Sequence, residues 1–117
     1  MTRVKRGTVT RKRHKRLLKK AKGFFGQRKN VFRRAKETVL RAMAYAYKGR
    51  KLKKRDMRSL FITRISAASK QRGVSYNRFI FGLKKAQVLL NRKMLSQLAI
   101  YEPSVFSHLV TVAKKYS

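Results

Sequence analysis

Positive charge without acidic partners is the feature that most restricts what this chain can fold into. Its 117 residues include 34 Lys and Arg but only 3 Asp and Glu, a formal net charge of +31. A small soluble domain usually carries a net charge of magnitude about 2–8, and self-repulsion at +31 opposes compaction. The chain is therefore expected to bind a strongly anionic partner, which is either nucleic acid or an anionic membrane surface.

The charge is concentrated in the first half of the chain, and this asymmetry predicts two domains. Residues 1–58 contain 24 Lys and Arg and two acids, whereas residues 59–117 contain 10 Lys and Arg and one acid. We predict a basic tail and helical arm over residues 1–58 that enters the anionic partner, and a globular helical domain over residues 59–117. The second domain is close to the lower size limit for independent folding.

Helical spacing of apolar residues, with no alternating strand pattern, predicts an all-α fold. Residues 1–10 lack any periodic apolar pattern and are expected to form an extended tail. From an N-cap at Asn30, apolar residues at helical spacing continue to Arg72. If Gly49 is tolerated, at a cost of about 1 kcal/mol relative to Ala, this segment forms one helix of about 40 residues, roughly 60 Å long. Gly73 is expected to end it.

Three short helices are predicted after that stop, and they form a small bundle. Ser75 and Asn91 are expected to cap the first two, and Pro103 suits the first turn of the third. The apolar residues that these helices are expected to turn inward are Tyr76, Phe79, Ile80, Phe81, Leu83, Met94, Leu95, Leu98, Phe106, Leu109, Val110 and Ala113.

The sequence offers little material for catalysis or metal binding. It has no cysteine, two histidines and three carboxylates, and no carboxylate lies within four residues of another. Metal sites need convergent His, Cys, Asp or Glu ligands, and phosphate loops have a glycine-rich signature that is missing. We expect no enzymatic activity, no metal, no cofactor and no small-molecule substrate.

The basic run from Arg3 to Lys22 is the strongest indication of a nucleic-acid partner. A membrane-binding helix needs a broad apolar face, which Leu17 and Leu18 alone do not provide. Phe24 and Phe25 can either stack on exposed bases or pack against the following helix. The predicted RNA-binding residues are Arg3, Lys5, Arg6, Arg11, Lys12, Arg13, His14, Lys15, Arg16, Lys19, Lys20, Lys22, Phe24, Phe25, Arg28, Arg33, Arg34, Arg41, Arg50, Lys51, Lys53, Lys54, Arg55 and Arg58.

Charge alone does not distinguish RNA from DNA. A sequence-specific DNA reader usually presents one recognition helix on a compact scaffold, whereas charge spread along an arm suits RNA folded around the protein. A nucleoid-type DNA-compacting protein remains the alternative. Basic residues of the second half provide material for a second RNA contact, namely Arg64, Lys70, Arg72, Arg78, Lys84, Lys85, Arg92 and Lys93.

Several short motifs, in this order and spacing over nearly the whole chain, resemble the bacterial-type family of large-subunit ribosomal protein twenty. The chain differs from the family pattern at Gly49 and Phe61. The matching motifs are Arg3–Gly7, Arg13–Lys15, Lys20–Gly23, Ala44–Tyr47, Lys53–Arg55, Ile62–Ala68, Gly73–Tyr76, Gly82–Ala86 and Asn91–Leu95.

The resemblance implies a helical protein with a long N-terminal extension threaded into large-subunit ribosomal RNA and a globular C-terminal domain. It also implies direct RNA binding, a role early in subunit assembly, neighbouring ribosomal proteins as partners, and no part in peptide-bond chemistry. The opening Met-Thr-Arg and the stretch Asn91–Leu95 look closest to cyanobacterial and plastid members. We therefore expect a location in ribosomes of the plastid stroma, with the bacterial cytoplasm as the alternative.

Overall fold

A computed structural model of the protein describes residue 3 and residues 7–116. Within these residues every regular element is helical, which confirms the prediction of an all-α fold. A single 3-10 turn (Gly26–Arg28) precedes the second α-helix. Membrane crossing needs a long apolar helix, and none occurs among the described residues. The helices are α1 (Gly7–Lys20), α2 (Phe32–Lys70), α3 (Tyr76–Lys85), α4 (Arg92–Tyr101) and α5 (Pro103–Tyr116).

The first helix begins earlier than the sequence pattern predicts. An extended tail through residue 10 is wrong for residues 7–10, which form the first turn of α1. Residues 7–10 are weak helix formers, but they extend a segment rich in Lys, Arg and Leu, which favour helical backbone. Adding a turn to an existing helix costs less than starting a new one. Residues 1, 2 and 4–6 lie outside the described part of the chain.

The long helix α2 is continuous through Gly49, a point that the sequence left open. Lys, Arg and Leu surround Gly49 in sequence, and their favourable propensity offsets the cost of one glycine. The predicted N-cap at Asn30 is wrong, because α2 begins at Phe32. The Asn30 N–H instead donates to the Gln27 carbonyl at 3.2 Å, within the turn before the helix.

The end of α2 is set by Gly73, as predicted. Gly73 has a φ of +72°, in the left-handed region that glycine adopts without steric cost. Its N–H donates to the Lys70 carbonyl at 3.0 Å, and the Val74 N–H donates to the Ser69 carbonyl at 3.0 Å. These bonds satisfy carbonyls that the helix end leaves without intrahelical partners.

The three short helices begin where their cap residues predict. The Asn91 Oδ1 accepts a hydrogen bond from the Met94 N–H at 2.9 Å, which caps α4. Pro103 is the first residue of α5. Ser75 has the extended backbone of an N-cap before α3, but its side chain makes no capping hydrogen bond.

The chain divides into two compact units, Met1–Lys51 and Leu52–Ser117, and the division falls within α2. The predicted domain boundary after residue 58 stays a prediction. The second unit holds the larger core, in which the rings of Phe79 and Phe106 meet with centroids 5.2 Å apart. The buried apolar residues of this core are Ile65, Ala68, Val74, Phe79, Leu83, Leu95, Phe106, Val110 and Ala113.

Two residues that were expected inside this core point to solvent instead. Phe81 is 51% exposed and Met94 is 45% exposed. Phe81 contacts the Lys85 ammonium, which lies 4.8 Å from the ring centroid, one turn further along α3. Phe79 and Leu83 are buried and lie four residues apart on one face of α3. Phe81 lies two residues from each of them and is therefore on the opposite face.

The closest helix contact in the second unit depends on Gly82. A Cβ atom placed there would lie 2.8 Å from the Ala113 Cα and nearer still to the Ala113 carbonyl oxygen. The obstacle is α5 backbone, which cannot move aside as a flexible side chain can. The absence of a side chain at residue 82 therefore permits the close approach of α3 and α5.

We predict that Gly82→Ala destabilises the second unit by about 1–3 kcal/mol or more, the usual cost of overpacking a core. The matched control is Gly49→Ala, where nothing lies within 4 Å of the added methyl. There the free energy of unfolding should rise by up to about 1 kcal/mol, because Ala favours helix over Gly. Urea unfolding followed by far-ultraviolet circular dichroism measures both changes, and equal midpoints for the two variants would contradict the prediction.

Candidate nucleic-acid interface

A small apolar cluster holds the first unit together and decides which of its faces remain exposed. Ala21, Ala35 and Val39 are buried. Leu17, Leu18 and Phe24 are partly buried around them. The side chains at the centre are small, so little apolar surface leaves water, and the hydrophobic contribution is modest because it scales with buried apolar area.

Every predicted RNA-binding Lys and Arg that the structure describes is exposed to solvent, from Arg3 to Arg58. Lys5 and Arg6, which belong to the same prediction, lie outside the described residues. Exposed cations keep their hydration and can reach phosphate oxygens without the cost of burying a charge. The described part of the first unit thus presents its charges to an external anion.

Few of these cations have an acidic partner among the residues that the structure describes. In the part of the chain that the structure describes, there is a single ion pair, in which the Arg41 Nη2 lies 3.0 Å from the Glu37 Oε1. Both side chains are mostly exposed, and exposed pairs of this kind contribute little to stability. The remaining basic side chains of the set repel one another until an anion approaches.

The two adjacent phenylalanines, for which stacking and packing were both open, differ in the structure. Phe24 is half-buried and packs against the small cluster of the first unit. Phe25 is 94% exposed. The ring of Phe24 thus packs against the cluster while part of it stays exposed, whereas Phe25 is available to an external aromatic surface such as a nucleobase.

His14, which was predicted to contact RNA, lies against an aromatic ring of its own chain. Its imidazole stacks on Phe32 with ring centroids 3.8 Å apart and an interplanar angle of 27°. The stack links α1 to the first residue of α2. This contact orients His14 and covers one face of its ring.

A groove with an apolar floor and a basic rim lies between α1 and α2. Its volume is about 440 Å³. Leu40 and Met43 are more than half exposed there. The rim carries cations from both helices, and the lining residues are Arg13, Arg16, Leu17, Lys20, Phe32, Lys36, Val39, Leu40 and Met43.

A second cavity of the first unit, of about 340 Å³, contains residues that the sequence analysis did not select. Glu37 and Tyr45 lie in its wall beside predicted arginines. We name this cavity the Glu37 pocket. Glu37 is an isolated carboxylate within a basic segment, and this pattern could have indicated a special site from the sequence alone. The side chains that define the pocket are Phe24, Arg28, Arg34, Glu37, Arg41 and Tyr45.

The eight basic residues proposed above as material for a second RNA contact fall into two groups. The Arg72 Nε donates to the Ser107 Oγ at 2.8 Å, and the Arg92 Nε donates to the Tyr76 hydroxyl at 3.0 Å. These two side chains are engaged within the protein. The others are exposed, and they are Arg64, Lys70, Arg78, Lys84, Lys85 and Lys93.

Acidic and histidine side chains do not converge anywhere in the described residues in a group of three or more that could hold a metal ion. The chemistry that the exposed surface offers is therefore hydrogen bonding and charge neutralisation by Lys and Arg, with Phe25 as an exposed aromatic face.

Comparison with known proteins gives one consistent result. The family model described as Ribosomal protein L20 matches residues 3–109. The chain is 55% identical over 115 residues to the large ribosomal subunit protein bL20 of Caldanaerobacter subterraneus, covering 98% of this chain and 97% of that protein. The protein of the same name from Clostridium novyi is 56% identical over 115 residues, with the same coverage. These relatives are bacterial.

We predict that Phe24→Ala weakens the first unit by about 1–2 kcal/mol, less than the 3–5 kcal/mol typical of fully buried aromatic residues, because Phe24 is only half-buried. Phe25→Ala is the matched control and should leave stability unchanged. Amide hydrogen exchange of α1 measures both effects. Equal exchange rates in the two variants would show that Phe24 does not support the cluster.

Proposed function

Because the chain belongs to the ribosomal protein L20 family, we propose that it is a structural constituent of the large ribosomal subunit that binds ribosomal RNA directly and supports subunit assembly. The family consists of structural proteins, and the chain is not an enzyme. The observation that carries the proposal is the exposed set of cations in the first unit, which make only one ion pair among the described residues. Their partners on this proposal are ribosomal RNA and neighbouring ribosomal proteins.

Phosphate neutralisation supplies the mechanism. Each Lys or Arg that contacts a phosphate releases condensed counterions from the RNA, and this release drives binding at moderate salt. Repulsion between RNA strands falls when cations lie between them, so the strands can approach one another. The first unit thereby stabilises RNA packing during assembly, and the exposed cations of the second unit provide a further contact.

Phe25 adds a contact of another kind. Its ring is 94% exposed, so its apolar faces are left in contact with water. Stacking on an unpaired base covers such a ring and is tolerant of base identity. Phe25 thus anchors the turn between α1 and α2 on RNA.

We infer a plastid location as part of this proposal. It follows from the resemblance of the opening Met-Thr-Arg and of Asn91–Leu95 to plastid and cyanobacterial members. The relatives described above come from bacteria, and their ribosomes lie in the bacterial cytoplasm.

The proposal is tested by nuclease treatment of the native complex. When large subunits are isolated by sedimentation from the source cells, the chain should sediment with them, and ribonuclease but not deoxyribonuclease should release it. Release by deoxyribonuclease alone would reject the proposal and support a DNA-compacting protein instead.

We predict that replacing Arg13, Lys15 and Arg16 with Ala weakens RNA binding and flattens its salt dependence by about 0.7–0.9 in log–log slope for each lost phosphate contact. All three side chains are exposed on α1. The control is the charge-conserving variant Arg13→Lys, Lys15→Arg and Arg16→Lys, which should keep the slope. Filter binding or fluorescence anisotropy at several salt concentrations gives the slopes, and an unchanged slope in the Ala variant would show that these residues face solvent.

A further inference from the structure

The Glu37 pocket combines side chains that phosphate binding alone does not require. Three arginines, Arg28, Arg34 and Arg41, lie around it together with the rings of Phe24 and Tyr45 and the carboxylate of Glu37. All of these residues belong to the first unit. The cavity of about 340 Å³ falls at the small end of the range for small-molecule sites, about 300–1,000 Å³.

Glu37 is out of place in a surface built only to neutralise phosphate. It is the one acid among the first 55 residues, and residues 1–51 contain 20 Lys and Arg. A carboxylate repels phosphate, and this one also cancels the charge of Arg41, from which it lies 3.0 Å away. The ion pair is exposed on both sides and contributes little to the stability of the helix. An anion-binding surface would be improved by removing Glu37.

The carboxylate becomes useful when the ligand carries hydrogen-bond donors. An ionised carboxylate is an acceptor only, with two oxygens side by side. Guanine presents two neighbouring donors on its Watson–Crick edge, the N1–H and the N2 amino group, and single-stranded RNA bases are read on that edge. Adenine and cytosine each present a single amino group on that edge. Guanine also carries an O6 acceptor, to which arginine donates readily.

We propose that the Glu37 pocket binds one unstacked guanine base of RNA. Glu37 accepts from the guanine N1–H and N2 amino group, and Arg41 donates to O6. The rings of Phe24 and Tyr45 provide the aromatic surface on which unstacked bases are held, and Arg28 and Arg34 neutralise the flanking phosphates. This assignment rests on the proposed function, because it names the part of the RNA that the first unit reads.

Competing ligands fit the pocket less well. A phosphodiester of the RNA backbone has acceptor oxygens only, which would face the acceptor oxygens of Glu37. A basic peptide segment would pair with Glu37 but would be repelled by Arg28, Arg34 and Arg41. A nucleotide with amino donors on its base and a phosphate beside it matches both signs of charge.

The first test is Glu37→Gln in the full-length chain, with binding to large-subunit ribosomal RNA measured against excess transfer RNA. The guanine site predicts at least about tenfold weaker binding, because a bidentate pair is lost. A surface that only neutralises phosphate predicts equal or tighter binding, because a repelling charge is removed. Asp56→Asn is the matched control, since it makes the same change at an exposed position of the same helix, and it should not weaken binding.

The second test identifies the base without altering the protein. Ultraviolet cross-linking of the wild-type complex, with the cross-linked residue identified, should join Tyr45 to a guanosine. Replacing that guanosine with inosine, which lacks the N2 amino group, should weaken binding to wild-type protein and have little effect on the Glu37→Gln variant.

The outcomes separate this inference from the function on which it rests. Cross-linking to another nucleotide, no effect of inosine, or undiminished binding by Glu37→Gln would each overturn the guanine site while leaving RNA binding by the chain intact. If the wild-type chain shows no preference for ribosomal RNA over transfer RNA, the proposed function fails, and the guanine assignment fails with it.

Discussion

Repulsion among cations that lack acidic partners is the constraint on which the rest of this structure depends. Among the described residues a single ion pair is present, and it lies on the exposed surface. Folding therefore cannot rely on attraction between charges and must rely on apolar burial in two small clusters. Nine buried apolar residues form the larger cluster and three form the smaller one, so most of the chain's surface stays free to meet an external anion.

The two units differ in how they bury apolar surface. The second unit builds a core around Phe79 and Phe106, with Gly82 permitting close approach to α5. Its buried polar groups are satisfied locally, since the Ser69 hydroxyl donates to the Ile65 carbonyl at 2.7 Å. The first unit buries little beyond Ala21, Ala35 and Val39. Its stability in the assembled state is expected to depend more on ligand contacts, since any partner that binds only the folded form stabilises it.

Sequence reasoning succeeded where one residue type has one physical role, and failed where the outcome depends on neighbours in space. Gly73, Asn91 and Pro103 mark helix ends because their backbone or side-chain chemistry acts locally. Phe81 and Met94 were wrongly expected in the core. For Phe81 helical spacing already indicates the outward face, since it lies two residues from both Phe79 and Leu83. For Met94 helical spacing does not reveal which apolar faces are already filled. The exposed cations of the arm were predictable from composition. The Glu37 pocket was not predicted, because the isolated carboxylate marks only one position and the walls are brought together by the turn before α2 and by α2 itself.

The contacts of Arg72 show that basic side chains in this chain do not all have the same role. Its guanidinium donates to the Ala68 carbonyl at 2.8 Å and lies 5.2 Å from the Phe106 ring centroid. A scan of basic positions that records only loss of RNA affinity would class Arg72 with the phosphate ligands, although its removal acts by loosening the bundle. To distinguish phosphate-binding residues from residues that stabilise the fold, the folding of each variant must be measured beside its RNA binding.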